Sequence, residues 1–427
     1  MKIKPLSKYL FFYQTSENFS TEKIKKIDAF LIILTILVSG SLINLTLELW
    51  ITLIIITFIL VSALIAKNNK VNRFALKNFC IILCLVVFIF FLKYIFLSET
   101  QAISQYITRF ANIVTALLIL MYFSDKPEYL IKIIYSVLYF IMLHALLSFA
   151  AWYVVKNSLI FVPSIKTNTF NYIFYYLHSD DIERIEESRI IEFYFLNFFR
   201  TSGIFWEPGI LQFYMNILLF ISLFIYRNII ISLLSIIVII TTWSSTGLII
   251  LAIQIFFYLK IKIKRKNILA FIVAFTIFPL MLILLQENLI EKFEGKNSGS
   301  GFSRALDTFT AINIIKNNPF LGIDFDREAY DKELLNNRAD IDMIGSRIER
   351  DASNTNSILN YFVFLGIPFG LAILYSLYNQ NIFSKNKLTF FLIIFLSLQT
   401  EPIGFFIFPL MLTFSNYLLK SPSGALP

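Results

Sequence analysis

Cysteine and histidine are nearly missing: the chain has 2 Cys and 2 His in 427 residues. Cys80 and Cys84 stand in one apolar run at i, i+4, share a helix face there, and read as small buried hydrophobes. Two thiols support neither a disulfide framework nor a thiol metal site. His144 lies in an apolar run and reads as a packed or hydrogen-bonded helix residue. With no HExxH run and no histidine cluster, no metal site is expected. The Walker pattern GxxxxGK[ST] is absent too, and "SSTG" at Ser244–Gly247 resembles no nucleotide loop. Charge is also scarce: 15% of residues are Asp, Glu, Lys or Arg, against roughly 25% in soluble domains.

What fills the chain is apolar. Hydrophobic residues make up 57% and the mean hydropathy is +0.73, more apolar surface than a soluble protein of this length can hide. Repeated apolar runs of about 20 residues indicate transmembrane helices. They are continuous rather than alternating, which argues against a membrane β-barrel. About twelve spans are expected on length, at 28–46, 48–66, 76–97, 103–123, 129–155, 208–226, 228–242, 245–260, 268–286, 357–378, 388–400 and 403–419. The expected fold is an all-α integral membrane protein, a single polytopic unit over 1–427. "LQTEP" at Leu398–Pro402 reads either as a tight turn between two short helices or as a break inside one. Residues 1–27 are polar and Lys-bearing and the run behind them is too long for an h-region, so no cleavable signal peptide is expected. The tail "SPSGALP" at 421–427 reads as a linker scar.

Basic residues flanking the spans account for the net charge of +9 without a nucleic-acid partner. They gather on one side, in "KIKPLSKY", "AKNNKVNR", "DKPEYLIK", "KIKIKRKN" and "SKNK", whereas "NLTLE", "LSETQA", "TTWSS" and "TEP" opposite have none. The positive-inside rule then predicts cytoplasmic termini. Two long loops, 156–207 and 287–356, fall outside. In the first, "TFNYIFYYLH" and "RIIEFYFLNFF" read as interfacial amphipathic helices. The second opens on the flexible Gly/Ser stretch "EGKNSGSGFSR". It continues with helical spacing at Ala305, Phe309, Ile312 and Ile315, and "NPFLG" ends that helix.

Candidate chemistry clusters on that outer side. In "RTSGIFWEPG", Gly203 permits a bend, Pro208 suits a first helical turn and Glu207 suits the positive helix end. Arg200 either snorkels or offers its planar fork to a phosphate. Arg304 follows a Gly/Ser bend into a helix, a place where backbone N–H groups can meet an anion. Polar residues from Asp351 run into a span where Asn354 or Asn356 serves as cap. Arg109, inside the fourth span, is a functional candidate by default, with snorkelling as the alternative; Lys93 is similar. Glu401 in "TEP" reads as an exposed turn carboxylate. "DFD" at Asp324–Asp326 matches a DxD metal pattern but is rejected, because three-residue matches are common by chance.

The layout and three stretches resemble the bacterial O-antigen polymerase and ligase superfamily, the Wzy-type polymerases in particular. "RTSGIFWEPG" is similar to an Arg-x-x-Gly-x-Phe-x-x-Pro segment. "SRALDTFTAINIIKNNPFLGID" resembles a later-loop Arg, a helix and a Pro-x-x-Gly turn. "NTNSILNYFVFLGIPFG" resembles a His-Asn-x-x-Leu run leading to Gly-Ile-x-Gly. The resemblance implies a GT-C-like membrane glycosyltransferase of the bacterial inner membrane, its active site periplasmic. It would join undecaprenyl-diphosphate-linked repeat units without metal or cofactor and with inversion. Its partners would be that lipid-linked donor and acceptor, membrane lipid and a chain-length regulator protein. Arg200, Arg304 and Arg109 would neutralise the leaving diphosphate. The general base would be Glu207, with Asp351 and Glu401 behind it; Gly203, Pro208 and Asn356 would shape the site. Aligning Asn356 puts Thr355 where ligases carry His, which weighs against O-antigen ligase. A flippase or transporter of lipid-linked sugars is the alternative from another class, disfavoured by the absence of a visible repeat.

Overall fold

The computed structural model describes residues 22–45, 47–67, 72–97, 103–155, 158, 160–162, 167–170, 174–177, 190–193, 196–263, 286, 299–325, 330–334 and 356–419. Helices are α1 (Lys26–Val38), α2 (Leu47–Lys67), α3 (Arg73–Leu97), α4 (Ile103–Tyr122), α5 (Pro127–Val155), α6 (Pro208–Phe220), α7 (Ile229–Thr241), α8 (Ser245–Ile263), α9 (Gly299–Asn317), α10 (Ser357–Tyr378), α11 (Lys387–Leu398) and α12 (Ile407–Leu418). Among the described residues, 6 helices are long and apolar enough to cross a membrane, and shorter apolar helices accompany them. This is a multi-pass membrane protein. The span expected at 268–286 and the tail 421–427 lie outside the described residues. The upper end of the bundle is taken here as the end where α4, α6, α10 and α12 begin.

The bundle is built around α6. Every residue from Pro208 to Phe220 is buried, so this helix is apolar on all sides as a central span must be. It packs against α5, α7, α8 and α11. Its polar pair bonds within the protein: Asn216 Nδ2 donates to Gln212 Oε1 at 2.9 Å, and Gln254 Nε2 of α8 donates to Asn216 Oδ1 at 2.8 Å. Such bonds tie helices together where lipid offers no partner. A π-helical turn, Ile221–Ile225, extends α6.

α2 and α3 are peripheral and present apolar side chains outward, Ile59 at 58% and Phe88 at 57% exposure. Cys80 and Cys84 are exposed on α3. The expectation of burial fails because an apolar run in lipid faces outward as readily as inward.

α10 explains why two of the motif stretches belong together. Asn356 caps it, its side chain accepting from Leu359 N at 3.0 Å. The helix is broken at Gly366 (φ 77°, ψ 172°), just ahead of Pro368. Into the break fits the turn that follows α9. Ile367 N donates to Pro319 O at 2.7 Å and Ile323 N to Val363 O at 2.8 Å. Gly322 (φ 67°) completes the joint; a Cβ there would stand 2.2 Å from Val363 O, and one at Gly366 would stand 2.2 Å from Phe320 O. The Pro-x-x-Gly turn and the Gly366–Gly370 run are thus two halves of one backbone lock, each supplying the partner that the other's irregular backbone lacks.

Two expectations are corrected and one open alternative is settled. The aromatic stretches of the first loop are strands, not amphipathic helices. β1 (Ile160–Val162), β2 (Thr167–Phe170) and β3 (Phe174–Leu177) form one antiparallel sheet, and β4 (Ile190–Phe193) pairs with β5 (Leu196–Phe199). Short runs rich in aromatic and β-branched residues favour a pleated surface, so the fold is all-α only in its helical bundle. The Gly/Ser stretch before Arg304 is also not a flexible bend, since α9 already begins at Gly299. "LQTEP" resolves as a turn between two short helices, α11 and α12.

Candidate functional site

Most of the described candidates meet at the upper end. Gly203 makes the expected bend, in a left-handed conformation at φ 59°. Beyond it Phe205 pairs with Ser41 across an isolated bridge, is fully buried, and stacks on Tyr214 with centroids 4.8 Å apart. Phe205 is therefore a core anchor. Trp206 packs edge-on against Phe406 at 5.9 Å. Pro208 opens α6 at its first turn and Glu207 stands at the N-cap, with no side-chain cap hydrogen bond. Its side chain is exposed.

Glu401 comes to the same place from the α11–α12 turn. It is 2% exposed, which corrects the reading of an exposed turn carboxylate. A Cβ at Gly209 would stand 1.8 Å from Glu401 Oε1, so only glycine lets that carboxylate lie on the first turn of α6, where the helix dipole favours negative charge. Ser357, at the start of α10, donates to the Glu401 carbonyl and accepts from Gly404 N at 2.9 Å. Tyr361 donates to Gly404 O at 2.8 Å.

Arg200 is half-buried. Its Nε donates to Thr242 O at 3.2 Å, and Thr201 N donates to Thr241 O at 3.1 Å. A guanidinium at the carbonyl end of α7 is a favourable charge–dipole placement and locks the "RTSG" segment to the α7–α8 turn. Arg304 lies on α9, its side chain outside the described residues. Asp351 and Thr355 lie outside them too.

The densest charge cluster joins α3, α4 and the turn after α9. The Arg109 guanidinium carbon lies 4.6 Å from the ring centre of Phe325, 4.8 Å from Phe364 and 4.5 Å from Phe405. Arg109 does not snorkel; it is held in a cage of ring faces, and its Nε is buried without a hydrogen-bond partner among the described residues. Lys93, fully buried, donates to Leu321 O at 2.9 Å and Ile323 O at 2.5 Å. Tyr106 donates to Asp324 Oδ1 at 2.5 Å, which also accepts from Phe325 N at 2.7 Å. Asp324, rejected as a metal ligand, is the carboxylate that faces both cations. Nearby, Tyr330 donates to Asp307 O at 3.2 Å, and burial, with Asp307 and Asp331 beside it, pushes its hydroxyl up. Tyr330 thus stays a neutral donor. Lys93, Tyr106 and Asp324 are what sequence reasoning missed as a group. The signal was a lysine in a span and an Asp beside an aromatic, and only the fold puts them together.

The same turn of chain links this cluster to Glu401: Asn112 donates to Phe405 O at 3.2 Å, and the Phe405 ring covers Arg109. Among the described residues no group of three or more His, Cys, Asp or Glu could hold a metal ion. The upper end therefore offers cations in aromatic surroundings, helix N-termini and carboxylates, which is the equipment to bind an anionic group and move a proton beside it.

Residues 230–375 match the family model described as O-antigen ligase, Wzy_C. This segment is an O-antigen ligase family domain. It takes in nearly all of α7, all of α8 and α9, the Asp324 turn and α10 up to Tyr375, so the backbone lock at Gly322 and Gly366 lies wholly within it. Members of the Wzy polymerase and O-antigen ligase superfamily are glycosyltransferases acting on lipid-linked oligosaccharides. Arg304, Asp351 and Asn356 lie inside the O-antigen ligase domain; Arg109, Arg200, Glu207 and Glu401 lie outside its matched residues. No curated protein and no solved structure matches the chain.

Proposed function

We propose that the protein polymerises undecaprenyl-diphosphate-linked repeat units into O-antigen or a related surface polysaccharide at the periplasmic face of the bacterial inner membrane. In this reading both termini are cytoplasmic, and the segments 156–207 and 287–356 are the periplasmic loops. The family match over 230–375 supports transfer of a lipid-linked glycan, that stretch supplies the turn that Lys93 and Tyr106 hold beside Arg109, and Thr355 in the place of the ligase His turns the reading towards the polymerase. The growing glycan on its lipid diphosphate is the donor, and a hydroxyl of the next lipid-linked unit is the acceptor. The acceptor oxygen bonds to the anomeric carbon as the bond to the diphosphate oxygen breaks, with inversion. The hydroxyl proton passes to a carboxylate, and the lipid diphosphate leaves as an anion. Arginines neutralise that leaving charge without a metal; Arg109, Arg200 and Arg304 take this role. Glu207 takes the proton: it is exposed and spends no hydrogen bond on capping α6. Asp351 and Glu401 stand behind it as bases.

The family description favours a second reading, an O-antigen ligase that transfers finished glycan to lipid A-core. Thr355 at the position where the ligases carry His weighs against it, since a threonine hydroxyl does not act as a base near neutral pH. Cells lacking the protein separate the readings. Core lipid bearing a single repeat unit, without a ladder, supports the polymerase. Polymerised glycan left unattached to core supports the ligase. Purified protein given a lipid-linked repeat unit, with and without EDTA, should form a ladder in both; failure to form any ladder with normally folded protein would sink the polymerase reading.

A further inference from the structure

Lys93 is completely buried, although its neighbours Phe91 and Ile95 on α3 are exposed. An ionisable side chain inside a span needs a reason to be there. Its hydrogen bonds go to two backbone carbonyls of the turn after α9, Leu321 O at 2.9 Å and Ile323 O at 2.5 Å. Ile323 also gives its N–H to Val363 O at 2.8 Å in the lock. The turn is therefore pinned from α10 and from α3. α4 adds a third grip through Tyr106, which donates to Asp324 Oδ1, the atom that accepts from Phe325 N at 2.7 Å. All three grips converge on the placement of Phe325. Its ring is buried, meets Phe90 and Tyr106 edge-on at 5.1 and 5.0 Å, and stands 4.9 Å from Lys93 Nζ and 4.6 Å from the Arg109 guanidinium carbon.

We propose that Lys93 is a positioning residue: by holding the carbonyls of Leu321 and Ile323 it seats the Phe325 ring against Arg109 and so aims the guanidinium. The inference rests on the proposed function for what Arg109 is aimed at, and adds what aims it. Arg109 has no comparable grip of its own. Its Nε is buried without a hydrogen-bond partner among the described residues, so ring faces set its orientation. Phe364 belongs to α10 and Phe405 to the segment just before α12, whereas Phe325 follows the pinned turn. Of the three rings it is the one whose place depends on Lys93. The arrangement also joins two parts of the chain. Lys93, Tyr106 and Arg109 precede the residues matched by the family model, while Leu321, Ile323 and Phe325 lie within them. A lysine that merely secured α3 to the bundle would act on rate to the same degree whatever stood at position 109. A lysine that works through Arg109 would not.

The test is a double-mutant cycle on the full chain in nanodiscs, scored by the initial rate of repeat-unit consumption. Lys93→Met removes both bonds and keeps a long apolar side chain. It should lower kcat about tenfold with KM within about twofold, the mark of a misaimed group that acts in the transition state. In an Arg109→Lys background, which lacks the planar fork, the same change should cost less than about twofold. Phe325→Leu leaves Lys93 its two carbonyls and should behave alike in both backgrounds; it carries the test where Lys93→Met does not fold. Equal losses with and without the fork would overturn the proposal. Phenylglyoxal, which modifies guanidinium groups, reads the cage without turnover. Modification of Arg109, mapped by mass spectrometry, should speed up about threefold or more in Lys93→Met and in Phe325→Leu as the cage opens. Unchanged labelling would overturn the positioning role and leave the polymerase reading standing. Faster labelling in these variants, with a parent protein that builds no ladder, would keep the positioning role and sink that reading.

Discussion

The lock between the α9 turn and the break in α10 can be weighed directly. Gly366→Ala must hold φ 77°, ψ 172°, a region nearly restricted to glycine that costs a side chain about 1–3 kcal/mol. Its Cβ would also stand 2.2 Å from Phe320 O. That atom is backbone and cannot swing aside, so the turn must retreat. Retreat breaks the bonds from Ile367 N to Pro319 O (2.7 Å) and from Ile323 N to Val363 O (2.8 Å), about 1 kcal/mol each and more where the groups stay buried. The expected loss is about 3–5 kcal/mol. Gly322→Ala meets Val363 O at 2.2 Å and breaks the same two bonds, so its cost is similar. Because those bonds can be lost only once, the double variant should fall short of additivity by about 2 kcal/mol. Denaturation of both single variants and the double variant in nanodiscs measures this. Strict additivity, or a single-variant loss below about 0.5 kcal/mol, would refute the argument that the two motifs form one joint.

Arg109→Lys keeps the charge over the Phe325, Phe364 and Phe405 rings but loses the planar fork. Ladder formation should drop about tenfold or more while thermal stability holds, and equal turnover would sink the fork's role. Asp324→Asn removes the carboxylate that faces Lys93 and Arg109 and should destabilise the protein by about 3 kcal/mol; adding Lys93→Met should recover part of that loss in a melting assay. Rescue of the Asp324 variant by a divalent cation would instead revive the metal reading. Glu207→Gln should lower turnover by about 10²-fold or more with little change in stability, since Glu207 makes no cap bond. Glu401→Gln should first cost about 1 kcal/mol of stability by discharging the contact on α6. The opposite pattern in paired kinetics and melting would exchange their roles.

The span pattern was legible because lipid imposes it on the chain one helix at a time. A run near 208–226 must be helical to satisfy its own backbone, and α6 with its π-helical extension occupies Pro208–Ile225. Caps and bends were legible for the same local reason: Asn356 binds Leu359 N and Gly203 turns left-handed. Failures came where local chemistry left two outcomes open. "TFNYIFYYLH" supports an interfacial helix or strands about equally, and pairing with a neighbouring segment decided for β2 and β3. Glu401 looked exposed because a polar turn usually is, yet a glycine on another helix made room for its carboxylate.

Composition and hydropathy by themselves determined that the chain is a multi-pass membrane protein and that its charges sit near span ends, because each helix must settle its own hydrogen bonds and its own transfer to lipid. Sequence stretches also carried the family resemblance that the match at 230–375 bears out over that segment. Only the tertiary structure decided that Lys93, Arg109, Tyr106 and Asp324 form one cluster. It alone decided that Arg200 holds the carbonyl end of α7. The physical reason is range. Hydrophobic period and capping act over a few residues, whereas a buried charge takes its partners from segments such as α3 and the Asp324 turn, separated in sequence by more than 200 residues (Lys93 to Ile323, separation 230), and low dielectric then makes that pairing obligatory.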